Sequence, residues 1–220
     1  MCYHESMIKL LFPLPKQVTV AFSGGVDSVA ICDFLSRKHD VTCAFYHHGT
    51  ENSERAYQFV HKFCDERKLP IVTGKLVEDK PDNMSWEEFW RDQRYDFLSK
   101  CGTVVTAHHL DDCVETYIWS ALHGKPKVPN IIRGNVLRPF LTTPKQELVS
   151  WCERKNLDWC EDLSNQDDRY TRNYIRKNLM PHALHVNPGL YKTVKKIIEK
   201  KPLTHKLFDY VTSPLYNESL

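Results

Sequence analysis

The first 140 residues alternate short apolar runs with longer stretches that carry apolar side chains on one side. Four of the runs are rich in β-branched residues, which predicts buried strands. They cover residues 16–22, 41–46, 70–73 and 103–107. The stretch after each run has apolar residues at helical spacing, at 26–38, 53–68, 86–98 and 111–122. Strands and helices in this order are typical of βαβ units, so we predict an α/β fold with a doubly wound parallel sheet.

Polar side chains mark the predicted starts of two of these helices. Ser53 is predicted to be the N-cap of the second helix. Ser85, followed three residues later by Glu88, fits a capping box at the start of the third. The pattern after Pro202 looks irregular, so no element is predicted there.

Charge is unevenly distributed along the chain. The net charge is only +2, but residues 169–206 hold ten Lys or Arg and a single acid, Glu199. That segment therefore carries +9, and the remainder carries −7. A basic segment of this kind is typical of nucleic-acid contact, with a solvated helical face as the other interpretation. Because the pattern also turns helical after Pro144, we predict a main domain over residues 1–180 and a basic helical tail over residues 181–220.

Composition favours a cytoplasmic protein. Hydrophobic residues make up 41% of the chain and charged residues 26%, which is ordinary for a globular protein. No apolar run approaches the roughly 20 residues that a membrane span needs, so we expect no membrane association. The eight cysteines are scattered and no CxxC pair occurs, which favours reduced structural thiols over a metal site.

A glycine-containing loop follows the first predicted strand. Its residues are Ser23, Gly24, Gly25, Val26, Asp27 and Ser28. Adjacent glycines let backbone N–H groups converge, and the following helix contributes its positive dipole end, so the loop is suited to phosphate. An acid beside a phosphate is explained if Asp27 reaches the anion through Mg²⁺. The spacing differs from the Walker loop and from the dinucleotide G-x-G-x-x-G pattern.

A cluster of acids follows the fourth predicted strand. Asp111 and Asp112 lie four and three residues before Glu115, so they share a helical face with it. Acids at this spacing suggest a bound cation, either Mg²⁺ or an ammonium group. The other interpretation is that the acids complement the dipole at the helix N-terminus. His108 is either a second base or a structural hydrogen-bonding group, and its neighbour His109 receives no role.

These two clusters resemble known signatures. The SGGVDS loop resembles the pyrophosphate loop of the PP-loop ATP-pyrophosphatase superfamily, which implies an adenine nucleotide alpha hydrolase-like fold and cleavage of ATP between its α and β phosphates. The H-H-x-D-D-x-x-E-T pattern at 108–116 resembles the second signature of tRNA(Ile)-lysidine synthetases. Residues 86–95, 137–141 and 159–176 are similar to further stretches of that family in the same order, so the resemblance covers about residues 16–181.

The resemblance implies a reaction and a set of residues. ATP would adenylate the wobble cytidine of the CAU anticodon of an isoleucine tRNA, and free L-lysine would then displace AMP to form lysidine. The implied catalytic residues are Asp27, Arg91, Arg94, Asp112 and Glu115. The loop from Ser23 to Ser28 would bind ATP, Asp27 would hold Mg²⁺, and Asp112 with Glu115 would bind lysine. The implied tRNA contacts are Arg169, Arg172, Asn173 and Arg176.

Spacing supports the tRNA assignment independently, and departures from the family limit it. Arg169, Arg172 and Arg176 lie at helical spacing on one predicted basic face, where guanidinium groups grip phosphates. Trp159 is expected in the core rather than as a base-stacking platform. The family's Arg after the second strand is replaced by Glu51, and its glycine-rich loop by the sequence at 123–127.

Little more than 40 residues follow Arg176, so we expect a short form without the family's C-terminal domains, helped by self-association or a partner protein. The other functions considered are a tRNA thiolase of the same fold, an amidating PP-loop synthetase, and a non-catalytic tRNA-binding remnant. The thiolases normally show the CxxC pair that this sequence lacks. Lysidine formation therefore remains the main prediction.

Overall fold

The computed structural model describes residues 8–161 and 171–201. Its six-stranded sheet has the order β3-β2-β1-β4-β6-β5. The strands are β1 Gln17–Ala21, β2 Asp40–His47, β3 Ile71–Lys75, β4 Val104–Val105, β5 Ile132–Arg133 and β6 Val136–Leu137. All neighbouring pairs are parallel except β5 and β6. The predicted α/β fold with a mostly parallel sheet is therefore confirmed.

The strand order reverses direction beside β1. From β1 the chain moves outward through β2 to β3, and it then returns to place β4 on the other side of β1. Val20 of β1 lies in register between Cys43 of β2 and Val105 of β4. In an open parallel sheet, such a reversal leaves a crevice at the carboxyl ends of the two central strands.

The antiparallel hairpin of β5 and β6 was not predicted. Each strand is only two residues long, which is too short for an alternating pattern to show. The Gly134–Asn135 pair between them is a hairpin signal, and Gly134 has a φ of +58°. The hairpin adds an edge to the sheet without changing its parallel centre.

Eight α-helices are found in the described part of the chain, with one π-helical turn between the sixth and seventh. They are α1 Val26–Ser36, α2 Glu51–Arg67, α3 Trp86–Ser99, α4 Leu110–Leu122, α5 Lys145–Arg154, α6 Thr171–Tyr174, α7 Met180–Val186 and α8 Leu190–Glu199. The π-helical turn spans Ile175–Leu179. Each helix predicted between strands is present, within a few residues of its expected bounds.

The capping predictions had different outcomes. Ser85 caps α3 as expected, since its side chain accepts a hydrogen bond from the backbone N–H of Glu88. Ser53 was wrong as the N-cap of α2. That helix begins at Glu51, and Thr50 is its cap, accepting from the N–H of Ser53 at 3.2 Å. Thr50, which directly follows Gly49, meets the capping requirement three residues earlier in the chain.

The C-terminal helix α8 packs against α4. Leu190, Val194 and Ile198 are buried and belong to the same hydrophobic core as the central strands. The lysines of α8 lie on the remaining faces. The boundary at residue 180 stays a prediction, and residues 202–220 lie outside the described part. No helix among the described residues is long and apolar enough to cross a membrane.

Candidate active site

A cavity of about 820 Å³ opens at the carboxyl ends of the central strands. The residues after β1, β2 and β4 line it, together with one side of α3 and single residues from later segments. Two groups of residues dominate its chemistry. We call the first the phosphate loop, residues 23–28, and the second the carboxylate cluster, which consists of Asp111, Asp112 and Glu115. Parallel strands bring both groups to one edge of the sheet.

The phosphate loop is shaped by its glycines. Gly24 has a φ of +82°, and a Cβ there would lie 3.1 Å from Cδ1 of Phe59 and 3.2 Å from Cγ1 of Val60. Only glycine fits this position without strain and crowding. Gly25 is the N-cap of α1, so the first-turn amides of that helix are at the loop, the arrangement that binds phosphate elsewhere.

Two serine hydroxyls close the loop. The hydroxyl of Ser28 donates to the carbonyl of Gly25 at 2.9 Å and lies 3.2 Å from the hydroxyl of Ser23. A third contact comes from a distant segment, since the N–H of Cys160 donates to the carbonyl of Gly24 at 2.9 Å. The neighbouring Trp159 packs against the core, as expected, and also lines the cavity.

His109, which received no role from the sequence, bridges the two groups. Its ring is 2% exposed, with Nε2 at 3.5 Å from Oδ2 of Asp27 and at 3.7 Å from Oδ2 of Asp112. Its Nδ1 lies 3.6 Å from Oδ2 of Asp111. Burial disfavours a charged ring, but the three carboxylates prevail and raise the pKa of His109 to about 10. His109 is therefore a buried cation that holds the phosphate loop against α4.

The two neighbouring aspartates have different surroundings. Asp111 accepts hydrogen bonds from the N–H of Lys145 at 2.8 Å and from the hydroxyl of Tyr191 at 2.7 Å. Burial raises its pKa, but the hydrogen bonds outweigh burial and lower it. Asp112 lines the cavity, and its Oδ2 accepts from the N–H of His109 at 3.1 Å. Asp111 thus ties α4 to α5 and α8, whereas Asp112 faces the space where a ligand would bind.

Glu115 lies beneath Asp112 and is 1% exposed. Its Oε1 accepts a hydrogen bond from Nε of Arg176 at 2.6 Å, and its Oε2 lies 3.8 Å from Nε of Arg172. Both guanidinium groups are also 3.8 Å from Oδ1 of Asp112. Burial raises the pKa of Glu115, and the arginines offset that effect in part. The carboxylate cluster is therefore already paired with cations.

The residues predicted to contact tRNA do not all point outward as one basic face. Arg172 and Asn173 line the cavity, and Arg172 and Arg176 turn toward the carboxylate cluster. Arg169 lies outside the described residues. Helical spacing correctly places Arg172 and Arg176 together, but it does not reveal the acids from α4 that face them.

The two candidate arginines of α3 are placed differently. Both are exposed, but Arg94 lines the cavity whereas Arg91 is absent from the lining. Tyr95 also lines the cavity, and its hydroxyl accepts a hydrogen bond from the buried Arg138 at 2.9 Å. His108 also lines the cavity, with Nδ1 at 2.8 Å from the hydroxyl of Thr106. Burial lowers the pKa of His108, so its ring is neutral near neutral pH.

Several lining residues were missed by the sequence analysis. Lys145 lies 4.0 Å from Oδ2 of Asp27 although 118 residues separate them in the chain. Trp90 and Tyr95 belong to the stretch 86–95 that resembles the family, but the sequence indicated no role for either. Trp90 lies four residues before Arg94 and therefore on the same side of α3, so a helical projection could have found it. Tyr95 follows Arg94 directly, and spacing alone does not place it in the lining.

Asp27 fits the magnesium ion that the fold implies. Its Oδ1 is buried and has no hydrogen-bond partner among the described residues. Mg²⁺ is commonly held by one or two carboxylates together with phosphate oxygens and water, so a single acid at a phosphate loop suffices. No group of three or more His, Cys, Asp or Glu side chains that could hold a metal ion occurs in residues 8–161 and 171–201.

Comparison with known families gives a clear assignment. The profile of the family described as "PP-loop domain" matches residues 4–183. The chain belongs to this PP-loop family. The resemblance of the SGGVDS loop to the PP-loop superfamily is confirmed. In this PP-loop protein the loop follows β1 and leads into α1, as the sequence predicted.

Curated relatives of this PP-loop protein carry the name tRNA(Ile)-lysidine synthase. It is 30% identical over 198 residues to the one from Legionella pneumophila (strain Paris), and 29% identical over 216 residues to that of Haemophilus ducreyi (strain 35000HP / ATCC 700724). The one from Thermotoga sp. (strain RQ2) is 29% identical over 220 residues. These matches cover 82%, 90% and 89% of this chain, but 46%, 50% and 51% of the relatives. The chain thus spans about half their length.

Among solved structures, an NH3-dependent NAD synthetase from Campylobacter jejuni subsp. jejuni NCTC 11168 aligns over 86% of both chains. The identity is 15% and the TM-score is 0.48, so this likeness adds nothing to the assignment.

Proposed function

We propose that this PP-loop protein forms lysidine. ATP adenylates the ring carbonyl oxygen of the wobble cytidine in the CAU anticodon of an isoleucine tRNA, and pyrophosphate leaves. The ε-amine of free L-lysine then attacks the activated ring carbon and expels AMP. One observation carries the proposal: the phosphate loop and the carboxylate cluster adjoin one cavity and are joined through His109. Similarity to proteins named tRNA(Ile)-lysidine synthase supports it.

The phosphate loop binds the triphosphate of ATP. Its amides at the start of α1 and the hydroxyls of Ser23 and Ser28 donate to phosphate oxygens, which neutralises charge as the α–β bond breaks. Asp27 would hold Mg²⁺ through Oδ1, which has no hydrogen-bond partner among the described residues. When bound, the ion neutralises charge on the phosphates. Lys145, next to Asp27, supplies a further positive charge on that side.

Two members of the carboxylate cluster, Asp112 and Glu115, bind lysine. Asp112 faces the cavity and Glu115 lies beneath it, so an ammonium group is attracted there. Lysine must arrive as a cation and react as a neutral amine, and this requires a nearby proton acceptor. His108 lines the cavity with a neutral ring, so it has a lone pair available to accept the proton. Arg94, which also lines the cavity, steadies the phosphate of the adenylated intermediate.

The tRNA approaches from the side of α6. Arg172 and Asn173 line the cavity there, and Arg176 lies behind them against Glu115. Guanidinium groups in this position neutralise phosphates of the anticodon loop. Arg169 belongs to the same proposed contact.

The deciding experiment is incorporation of labelled lysine into an isoleucine tRNA with a CAU anticodon, with and without ATP. We expect ATP-dependent incorporation that Asp112→Asn abolishes, because asparagine keeps an acceptor for the N–H of His109 but removes the charge that attracts lysine. Asp111→Asn is the matched control and should retain most activity, since Asp111 binds other protein groups. No incorporation by the wild type at saturating tRNA would refute the proposal.

The two arginines of α3 give a second test. Arg94→Ala should lower the rate of incorporation about 100-fold, the size of effect seen when one charge-stabilising donor is removed. Arg91→Ala should change it less than about threefold, because Arg91 is absent from the cavity lining. Equal losses in the two variants would contradict the assignment of Arg94.

A further inference from the structure

A half-exposed tryptophan lies just outside the cavity. Trp86, the first residue of α3, is 51% exposed. Its ring centroid is 5.4 Å from that of Trp90, with 37° between the ring planes. Trp90 does line the cavity, and its ring lies 5.8 Å from that of His48 at the end of β2. A row of aromatic rings therefore runs from the cavity wall to the surface.

The helix geometry continues this row toward the reacting groups. Trp86, Trp90 and Arg94 are spaced four residues apart, so they share one side of α3. Trp90 and Arg94 both line the cavity. A ligand that fills the cavity and extends outward along α3 meets Arg94 first, then Trp90, then Trp86.

Two chemical features define what this row can bind. The first is ring area, since burying tryptophan on a partner releases a large apolar surface. The second is an unmet hydrogen-bond donor, because the indole Nε1 of Trp90 is buried and has no hydrogen-bond partner among the described residues. Flat rings with a polar edge match a nucleobase, which has two faces for stacking and acceptors at its rim.

The charges around the row favour stacking over phosphate binding. Lys80 lies over the ring of Trp86, with Nζ at 5.6 Å from the centroid, and Arg91 is nearby on α3. The acids Glu87 and Glu88 on the first turn offset these cations. A mixed patch of this kind gives little attraction for a phosphate chain, so the rings themselves must supply most of the contact energy.

We propose that Trp86 and Trp90 form a stacking platform for an unpaired base of the RNA substrate, next to the nucleotide that reacts in the cavity. This inference rests on the proposed function. The adenine of ATP is the other source of a base. It is disfavoured because Trp86 is outside the cavity lining, so a ligand held by the phosphate loop alone does not reach it.

The test uses a labelled RNA hairpin with a CAU loop, with binding measured by fluorescence anisotropy at one fixed salt concentration. Trp86→Leu keeps an apolar side chain but removes the ring, and should raise the Kd for the hairpin about tenfold, within the range reported for loss of one base–aromatic stack. Trp86→Phe should keep the Kd within about threefold, because a ring remains. The Kd for ATP should not change in either variant.

Trp119 provides the matched control. It is also partly exposed, at 39%, but it stacks on His123 near the end of α4 and does not line the cavity. Trp119→Leu should leave the hairpin Kd within about twofold of wild type. A hairpin with an abasic nucleotide in the loop should identify the stacked base, because at that nucleotide the Trp86→Leu change should add no further loss.

Each contrary result overturns the platform. An unchanged hairpin Kd in Trp86→Leu, or no hairpin binding by the wild type, removes the RNA contact. A rise in the Kd for ATP equal to that for the hairpin assigns the rings to adenine instead. Hairpin binding needs neither ATP nor lysine, so the two proposals fail separately. Trp86-dependent binding without lysine incorporation refutes lysidine formation alone, and incorporation with Trp86-independent binding refutes the platform alone.

Discussion

The phosphate loop and the carboxylate cluster meet in one cavity but are built in different ways. The loop is six consecutive residues, and its chemistry comes from backbone amides that a glycine conformation exposes. The cluster collects side chains from α4 and pairs them with arginines more than 50 residues away. An anion can enter the loop without displacing a protein anion. A cation that enters the cluster must compete with Arg172 and Arg176.

This difference predicts how each ligand interacts with the protein. ATP meets a site whose donors are already in place, so its affinity depends on loop geometry. In the proposed reaction lysine would meet carboxylates whose charge is already compensated, so its affinity would depend on whether the guanidinium groups can move aside. RNA phosphates are natural partners for those guanidinium groups, and we therefore expect lysine to bind more tightly when RNA is bound.

The largest expected effect comes from the loop backbone. Gly24→Ala should lower stability by about 2–3 kcal/mol, since a positive φ costs roughly 1–2 kcal/mol and the added Cβ meets Phe59 and Val60. The melting temperature should fall by about 5–10 °C, and ATP affinity by at least about tenfold. Differential scanning fluorimetry and calorimetric titration would measure both.

Gly124 is the control for that change, because it has a φ of +74° and nothing within 4 Å of an added Cβ. Gly124→Ala should cost about 1 kcal/mol and leave ATP binding unchanged. Equal shifts in the two variants would show that crowding at Gly24 is unimportant.

The next effect concerns the pairing of Glu115. Arg176→Gln removes a 2.6 Å hydrogen bond, whereas Arg172→Gln removes a contact at 3.8 Å to the same carboxylate. We expect Arg176→Gln to lower the free energy of unfolding by about 1–2 kcal/mol and Arg172→Gln to lower it by less than about 0.5 kcal/mol, since a hydrogen bond to a charged group is the stronger interaction. Chemical unfolding of both variants under identical conditions would measure the two losses.

The pH dependence of the Arg176→Gln loss has a definite sign. Arg176 holds down the pKa of Glu115 against the effect of burial, so that pKa rises further in the variant. An acid whose pKa is higher in the folded than in the unfolded protein lowers the free energy of unfolding at pH values where the unfolded chain is ionised. The gap in melting temperature between variant and wild type should therefore widen as pH rises from about 5 to about 8. A gap that narrows would contradict the pairing.

The smallest effect is at the loop hydroxyls. Ser28→Ala removes donation to the carbonyl of Gly25 and the contact with Ser23, and should raise the Kd for ATP about 3- to 10-fold, the range for one or two hydrogen bonds. Ser36→Ala, at the other end of α1, removes a similar bond to the carbonyl of Asp33 and should not change it. Lysine binding that falls together with ATP binding in Ser28→Ala would mean that the two groups are not separable.

The same contrast explains what the sequence could predict. The phosphate loop could be predicted because its six residues are consecutive in the sequence. The acids of α4 could be predicted because helical spacing alone places them on one face. Ser85 was found as a cap for the same reason, since its partner Glu88 is three residues away.

Features that depend on distant contacts could not be found in this way. Sequence spacing gave no sign that Arg176 would hydrogen-bond to Glu115, 61 residues earlier, or that Lys145 would approach Asp27. His109 was left without a role because its three carboxylates come from two different elements. Trp86 lies within the stretch 86–95 that resembles the family, but its exposure depends on where α3 begins relative to the cavity.

The π-helical turn at Ile175–Leu179 changes the angle between the side chains of α6 and those of α7, which it joins into one helical segment. Ile175 and Met180 are both buried, although five residues of an α-helix would turn them about 140° apart. The wider turn brings both inward while Arg176 still reaches Glu115. Four residues of a regular α-helix would turn these two side chains only about 40° apart, so the π-helical turn accommodates one extra residue between them without moving either out of the core.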